Sequence, residues 1–216
     1  YERVIVGGTD PLTAFTANGF NSLMILDPYH TRPMSGDRKG LNLGEGAAYL
    51  VLESEDSAKQ RGADIHGLIT GCGNTNDAYH ATASSPDGDG AYLSMTKALS
   101  MAGIKASEVD YINAHGTGTP NNDESESKAV DRVFGSQVPS ISSTKGFTGH
   151  TLGAAGAIEA VLSLLAIEHQ KVLPNHNYSE SMPETDWEPV KELSDQRIDH
   201  VMSNSFGFGG NNSTVI

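Results

Sequence analysis

The chain has 216 residues, enough for one large domain or two small ones around a real core. Its 37% hydrophobic content and 24 glycines are those of a globular protein rich in tight turns. A formal charge of −13 argues against non-specific binding to nucleic acid or an anionic membrane. The single cysteine, Cys72, rules out an intrachain disulfide and any Cys-x-x-Cys metal motif; no metal site is expected, and a reducing cytoplasm fits.

Residues 3–8 form an apolar run that reads as a buried strand, not a signal peptide. Residues 27–39, with Pro28, Pro33 and Gly36, read as a loop, and residues 50–52 as a second strand. The polar stretch 53–62 is the expected boundary between a unit of residues 1–55 and one of residues 56–216. Strand character resumes at 65–71, and 74–90 reads as a long polar loop. Residues 91–102 predict a helix stopped by Gly103, and 109–114 a strand. Residues 122–134 predict a helix whose Asp123, Glu124 and Glu126 favour its positive end. Residues 138–142 read as a strand. The apolar run 152–167 carries Glu159 and is short for a membrane span, so 153–169 is expected to be a buried helix. Residues 174–192 read as an irregular surface segment, and 201–204 and 213–216 as strands flanking a glycine-rich turn. The order βαβα with a closing hairpin predicts an α/β fold with a mixed sheet.

Two histidines each sit in a glycine-rich turn between a strand-like and a helix-like run. His115 lies in Asn113-Ala114-His115-Gly116-Thr117-Gly118-Thr119-Pro120, and His150 ends Ser143-Thr144-Lys145-Gly146-Phe147-Thr148-Gly149-His150. Loops at strand ends in such a sheet are where ligands and catalytic groups gather. Gly116 and Gly118 let backbone approach a ligand, while Thr117 and Thr119 supply hydroxyls. Lys145 is expected to point into the same mouth as His150, where its charge keeps the imidazole neutral and able to donate one N–H. Glu159, if buried, needs a partner, and Lys145 is the candidate; a solvent-facing Glu159 is the alternative. In the last turn, Phe206 and Phe208 alternate with Gly207 and Gly209, and a backbone N–H beside Phe208 suits half of an oxyanion hole. Cys72 has no helix start directly after it and reads as a small buried core thiol, not a nucleophile.

These motifs together resemble the β-ketoacyl-acyl carrier protein synthases of the elongating, synthase I and II type. Leu152-Gly153-Ala154-Ala155-Gly156, Asn204-Ser205-Phe206-Gly207-Phe208-Gly209-Gly210, Asp77-Ala78-Tyr79-His80 and Leu43-Gly44-Glu45-Gly46-Ala47 occur with the histidine motifs in that family's order. The resemblance implies a thiolase-like αβαβα layered fold, mostly its C-terminal half. It implies a decarboxylative Claisen condensation of an acyl thioester with malonyl-acyl carrier protein, in fatty-acid or polyketide synthesis. His115 and His150 would then stabilise the enolate, with Lys145, held by Glu159, orienting and tuning His150. Phe208 would contribute an oxyanion N–H and gate the acyl pocket, and Thr117 and Thr119 would meet the pantetheine arm. Phe206, Gly207 and Gly209 would line the substrate site. No cofactor is implied beyond the phosphopantetheine of acyl carrier protein, the expected partner. A homodimer is expected of the full-length protein. In relatives the nucleophilic cysteine lies upstream of where this chain begins, so the residues here are expected to be inactive alone. A non-catalytic subunit resembling a chain-length factor is the alternative; the degradative thiolases fit these motifs poorly. An acidic carrier would need a local basic patch, for which Lys59, Arg61 and Lys128 are candidates. Arg32-Pro33-Met34-Ser35 departs from the commoner Arg-Pro-Phe-Asp.

Overall fold

A computed structural model describes residues 1–216. In chain order its main elements are β1 (Arg3–Asp10), α1 (Ala14–Ser22), β2 (Gly46–Glu53), α2 (Glu55–Gln60), β3 (Cys72–Asn76) and α3 (Asp89–Ala102). There follow β4 (Tyr111–Asn113), α4 (Pro120–Phe134), β5 (Ser140–Ser142), α5 (Lys145–Thr148), α6 (Ala155–His169), β6 (Lys171–Val172), β7 (Ser194–Asp195), β8 (Val201–Gly207) and β9 (Asn211–Val215). The central sheet has five strands in the order β3-β9-β8-β4-β5. β4 runs parallel to both β5 and β8, while β9 is antiparallel to β8 and β3, so the sheet is mixed as expected.

Helices α3 and α4 pack together beside this sheet and close the main core around Met95, Ile112, Val130, Ile141 and Met202. α6 contacts β8 of that sheet and also the β1–β2 pair. The layers are therefore helix, sheet, helix and a two-stranded ribbon, with α6 in the middle. By length and composition Leu152–His169 is apolar enough to cross a membrane. In this fold it lies between two sheets, and its fully buried stripe is Ala155, Glu159, Ser163 and Ala166. Small side chains on that stripe permit close packing of the helix on that face.

Several expectations shift. β1 is a strand but not a buried one: Val6, Gly8 and Asp10 are half-buried, whereas Ile5 is 72% exposed. Alternate residues of a strand face opposite ways, and the ribbon has a layer on one face only. Residues 65–69 form no strand. They have no partner there, and pairing starts only where Thr70 and Gly71 donate to Ile216 O. α1 and the Ser54-capped α2 fall in stretches that carried no helix signal, or only a polar one. Cys72 is exposed, against the expected buried thiol, with Sγ 3.4 Å from Met101 Sδ. It opens the edge strand β3, whose inward positions are Gly73 and Thr75. The flanking glycines serve packing: a Cβ on Gly71 or Gly73 would strike the carbonyl oxygen of Ala98 or Ser94 on α3. The expected boundary near residue 55 falls where α2 begins, yet residues 27–43 before it lie against both histidine loops after it.

Candidate active site

Neighbouring parallel strands bring the histidines together. β4 ends at Asn113 and runs into His115; β5 ends at Ser142 and leads through α5 to His150. Parallel neighbours release their following loops from the same sheet edge. β8, parallel to β4 on its other side, delivers Phe206 to that edge. The imidazoles of His115 and His150 meet edge to face with centroids 5.3 Å apart, and the Phe206 ring lies 5.6 Å from His115.

Nδ1 of both rings is buried and without a hydrogen-bond partner. A buried N–H with no acceptor is the costlier orphan, which favours the tautomer with the proton on Nε2 and that nitrogen as a donor. Burial, then the charge of Lys145 and the neighbouring ring, hold His115 well below the ordinary histidine pKa. Burial and then Lys145 push His150 down to about 3. Both imidazoles are thus neutral at neutral pH; the lysine's charge contributes as expected for His150, but burial is the larger cause in both.

Lys145 and Glu159 form the expected pair, 1% and 2% exposed. Burial raises the Glu159 carboxyl pKa, and Lys145 draws it back. One expectation is corrected. The Lys145 ammonium makes its hydrogen bonds to Glu159 and, at 2.6 Å, to the carbonyl oxygen of His115, and none to His150. It therefore acts on His150 through charge and holds the His115 loop directly.

Two carboxylates read in the sequence only as helix-end charges do more. Glu126 on α4 is fully buried and accepts from the amides of His115 (2.9 Å) and Gly116 (2.8 Å) and from Asn204 Nδ2 (3.1 Å). Burial outweighs those donors and raises its pKa to about 7. Asp123, also fully buried, accepts from the amides of Met34 (2.8 Å) and Gly118 (3.2 Å). Spaced three residues apart, the two share the helix face turned toward the His115 loop. Their proximity to the buried Ala129 and Val130 was the available signal.

The glycine-rich turn follows β8. Phe208 is 46% exposed and stacks on Phe20 of α1 at 5.8 Å. Gly207 and Gly209 are exposed, but the Gly209 amide is engaged, donating to Ala81 O at 2.8 Å. Thr117 is buried, its hydroxyl 2.8 Å from that of Thr119, so of the two expected arm contacts only the half-buried Thr119 reaches the surface. Lys59, Arg61 and Lys128 lie on or beside two different helices, each paired with a carboxylate: Glu55, Glu53 and Glu124.

Two neutral imidazoles converging beside a buried lysine–glutamate pair form an arrangement able to donate to a developing oxyanion. Residues 66–179 match the family described as beta-ketoacyl synthase, C-terminal domain, and the chain belongs to that family. It is 44% identical over 224 residues to 3-oxoacyl-[acyl-carrier-protein] synthase 2 of Staphylococcus aureus (strain COL), across 100% of this chain and 54% of that protein. Among solved structures it resembles the ishigamide ketosynthase/chain length factor (TM-score 0.95, 38% identity, 99% of this chain and 53% of that one). It also resembles a type II polyketide ketosynthase solved in complex with its acyl-carrier protein (TM-score 0.95, 36% identity, 99% and 55%). The chain thus spans about half the length of the relatives it matches. These neighbours agree with the expected thiolase-like α/β fold.

Proposed function

We propose that the complete protein is a 3-oxoacyl-acyl carrier protein synthase, an acyltransferase carrying out decarboxylative Claisen condensation. The observation that carries this is the pair of neutral, unengaged imidazoles 5.3 Å apart. The likeness to a ketosynthase bound to an acyl-carrier protein supports such a carrier as partner. In the reaction the malonyl C–CO2 bond breaks and carbon dioxide leaves. Its electron pair becomes an enolate whose oxygen accepts from His115 Nε2–H and His150 Nε2–H. The enolate carbon then attacks the acyl thioester carbon, and the tetrahedral intermediate expels the enzyme's thiolate, leaving a 3-oxoacyl chain on the carrier. The Phe208 backbone N–H contributes to binding the second oxyanion, and its side chain borders the acyl pocket together with Phe20.

Cys72 is not that thiolate. It lies on β3, separated from β4 by β9 and β8, and its sulfur faces Met101. In this reading the acyl-carrying cysteine lies outside residues 1–216, and these residues alone are inactive. The substrates ride on phosphopantetheine, no other cofactor takes part, and the protein works as a cytoplasmic homodimer.

The test is decarboxylation of malonyl-carrier protein by the complete protein and by its His115→Ala and His150→Ala variants. Each loss should cost about a hundred- to a thousandfold in rate, the usual effect of removing an oxyanion donor. Acyl transfer to the cysteine should survive in part. Wild-type decarboxylation in either variant, or none in the unaltered protein, would overturn the proposal.

A further inference from the structure

Besides the bonds from Lys145 Nζ to His115 O and from Ser143 Oγ to Gly116 O, another route joins the two histidine loops, and it runs through residues 27–44. The amide of His150 donates to Asn42 O at 2.7 Å, and Gly44 N returns a bond to His150 O at 3.0 Å. Asn42 Oδ1 accepts from the amide of Thr31 at 2.7 Å. Thr31 Oγ1 lies 2.9 Å from both Thr117 O and Gly40 O, its one proton serving either carbonyl. Thr117 is two residues past His115, so three hydrogen bonds connect His150 to the His115 loop. Thr31 is 2% exposed, and further bonds brace the route: Asn42 Nδ2 to Asp27 O at 2.9 Å and Asn177 Nδ2 to Thr31 O at 3.1 Å. Gly118, at φ +82°, accommodates it, since a Cβ there would strike Thr31 Oγ1.

We propose that Thr31 and Asn42 are positioning residues, a hydrogen-bonded strut that sets the spacing of His115 and His150. The proposal rests on the condensation reading above. Oxyanion donors must sit within a few tenths of an ångström of their places, and a displacement of about 1 Å can cost a hundredfold. Lys145 Nζ and Ser143 Oγ, which donates to Gly116 O at 2.6 Å, tie the start of the His150 loop to the His115 loop, whereas the strut holds the backbone of His150 itself at the far end. The strut ties the backbone of both loops, and its Thr31 end is buried while Asn42 is half-buried.

The variants are Thr31→Val, which keeps the shape and removes the hydroxyl, and Thr31→Ser, which keeps the hydroxyl and removes the methyl. In the complete protein, Thr31→Val should lower kcat for malonyl-carrier decarboxylation by about tenfold or more, worth about 1.4 kcal/mol of barrier. KM should stay within about twofold, and Thr31→Ser should recover to within about threefold of wild type. A wild-type rate in Thr31→Val, or a Thr31→Ser variant as slow as Thr31→Val, would overturn the strut. If the unaltered protein does not decarboxylate at all, the condensation reading fails, and the strut is then judged by crystallography. The ring separation of 5.3 Å should change by about 0.5 Å or more in Thr31→Val, and an unchanged separation refutes it.

Discussion

Replacing Lys145 with methionine removes the ion-pair partner of a carboxylate that is only 2% exposed. The His115 carbonyl loses its ammonium donor in the same step. Breaking one side of a buried pair typically costs about 3–5 kcal/mol, a large part of the ~5–15 kcal/mol that stabilises a native protein. With a urea m-value of about 2 kcal/mol/M the unfolding midpoint should fall by about 2 M. Glu159→Gln should be comparably costly, because it leaves the ammonium buried without a counter-charge. The double variant Lys145→Met/Glu159→Gln should be better than the sum of the singles by about 2 kcal/mol, since no uncompensated charge remains. Lys145 also depresses both imidazoles, so its removal should raise the pKa of His150 above about 3 and that of His115 with it, burial remaining the main brake. Urea unfolding of the four proteins and imidazole titration by NMR read the two effects independently. Additivity within about 0.5 kcal/mol, together with unchanged histidine titrations, would refute the coupling.

Depressed folded-state values mean that His115 and His150 stay neutral while unfolded histidines protonate near 6.5. Their contribution to stability is therefore complete above pH 6.5 and is lost as pH falls toward about 3. Decarboxylation should show no limb from these rings between pH 5 and 8, and an NMR titration of either ring inside that window would contradict the site electrostatics. Glu126 has the opposite sign: its folded value is raised from 4.5 to about 7, so its contribution is present below pH 4.5 and lost as pH rises through 7. Glu126→Gln should flatten the stability profile over that window, and an unchanged slope would mean that another group titrates there. Exposed Cys72 should react with a thiol reagent in the folded protein, and Cys72→Ser should keep full activity; protection until denaturant is added would place the thiol back in the core.

The motifs of the site were legible locally. Asn113 to Pro120, Lys145 to His150 and the Phe206–Gly210 turn each combine a strand end, glycines and a polar group over a few residues. The Lys145–Glu159 pair was also inferable, because a lone carboxylate in an apolar helix needs a counter-charge. Glu126 and Asp123 were misread because a carboxylate near a helix start has two uses, complementing the helix dipole or accepting amides from another loop. Only the partner decides between them, and here the partners are His115, Gly116, Gly118 and Met34.

Burial is the other quantity that required the fold. Apolar residues cluster both in β1 and in residues 65–69, yet Ile5, Leu68 and Ile69 are 72%, 58% and 60% exposed. Cys72 likewise took its exposure from the edge position of β3. The sequence by itself determined the long helices α3, α4 and α6, the strands that lead into the two histidine turns and the family, since these follow from short-range periodicity and local composition. Tertiary structure alone decided strand neighbours, layer coverage and the hydrogen bonds from Thr31 and Asn42 to loops as far as 108 residues away, from Asn42 to His150. A hydrogen bond across such a span leaves no periodic trace in the chain, because it depends on which backbones the sheet order and α6 bring to one edge.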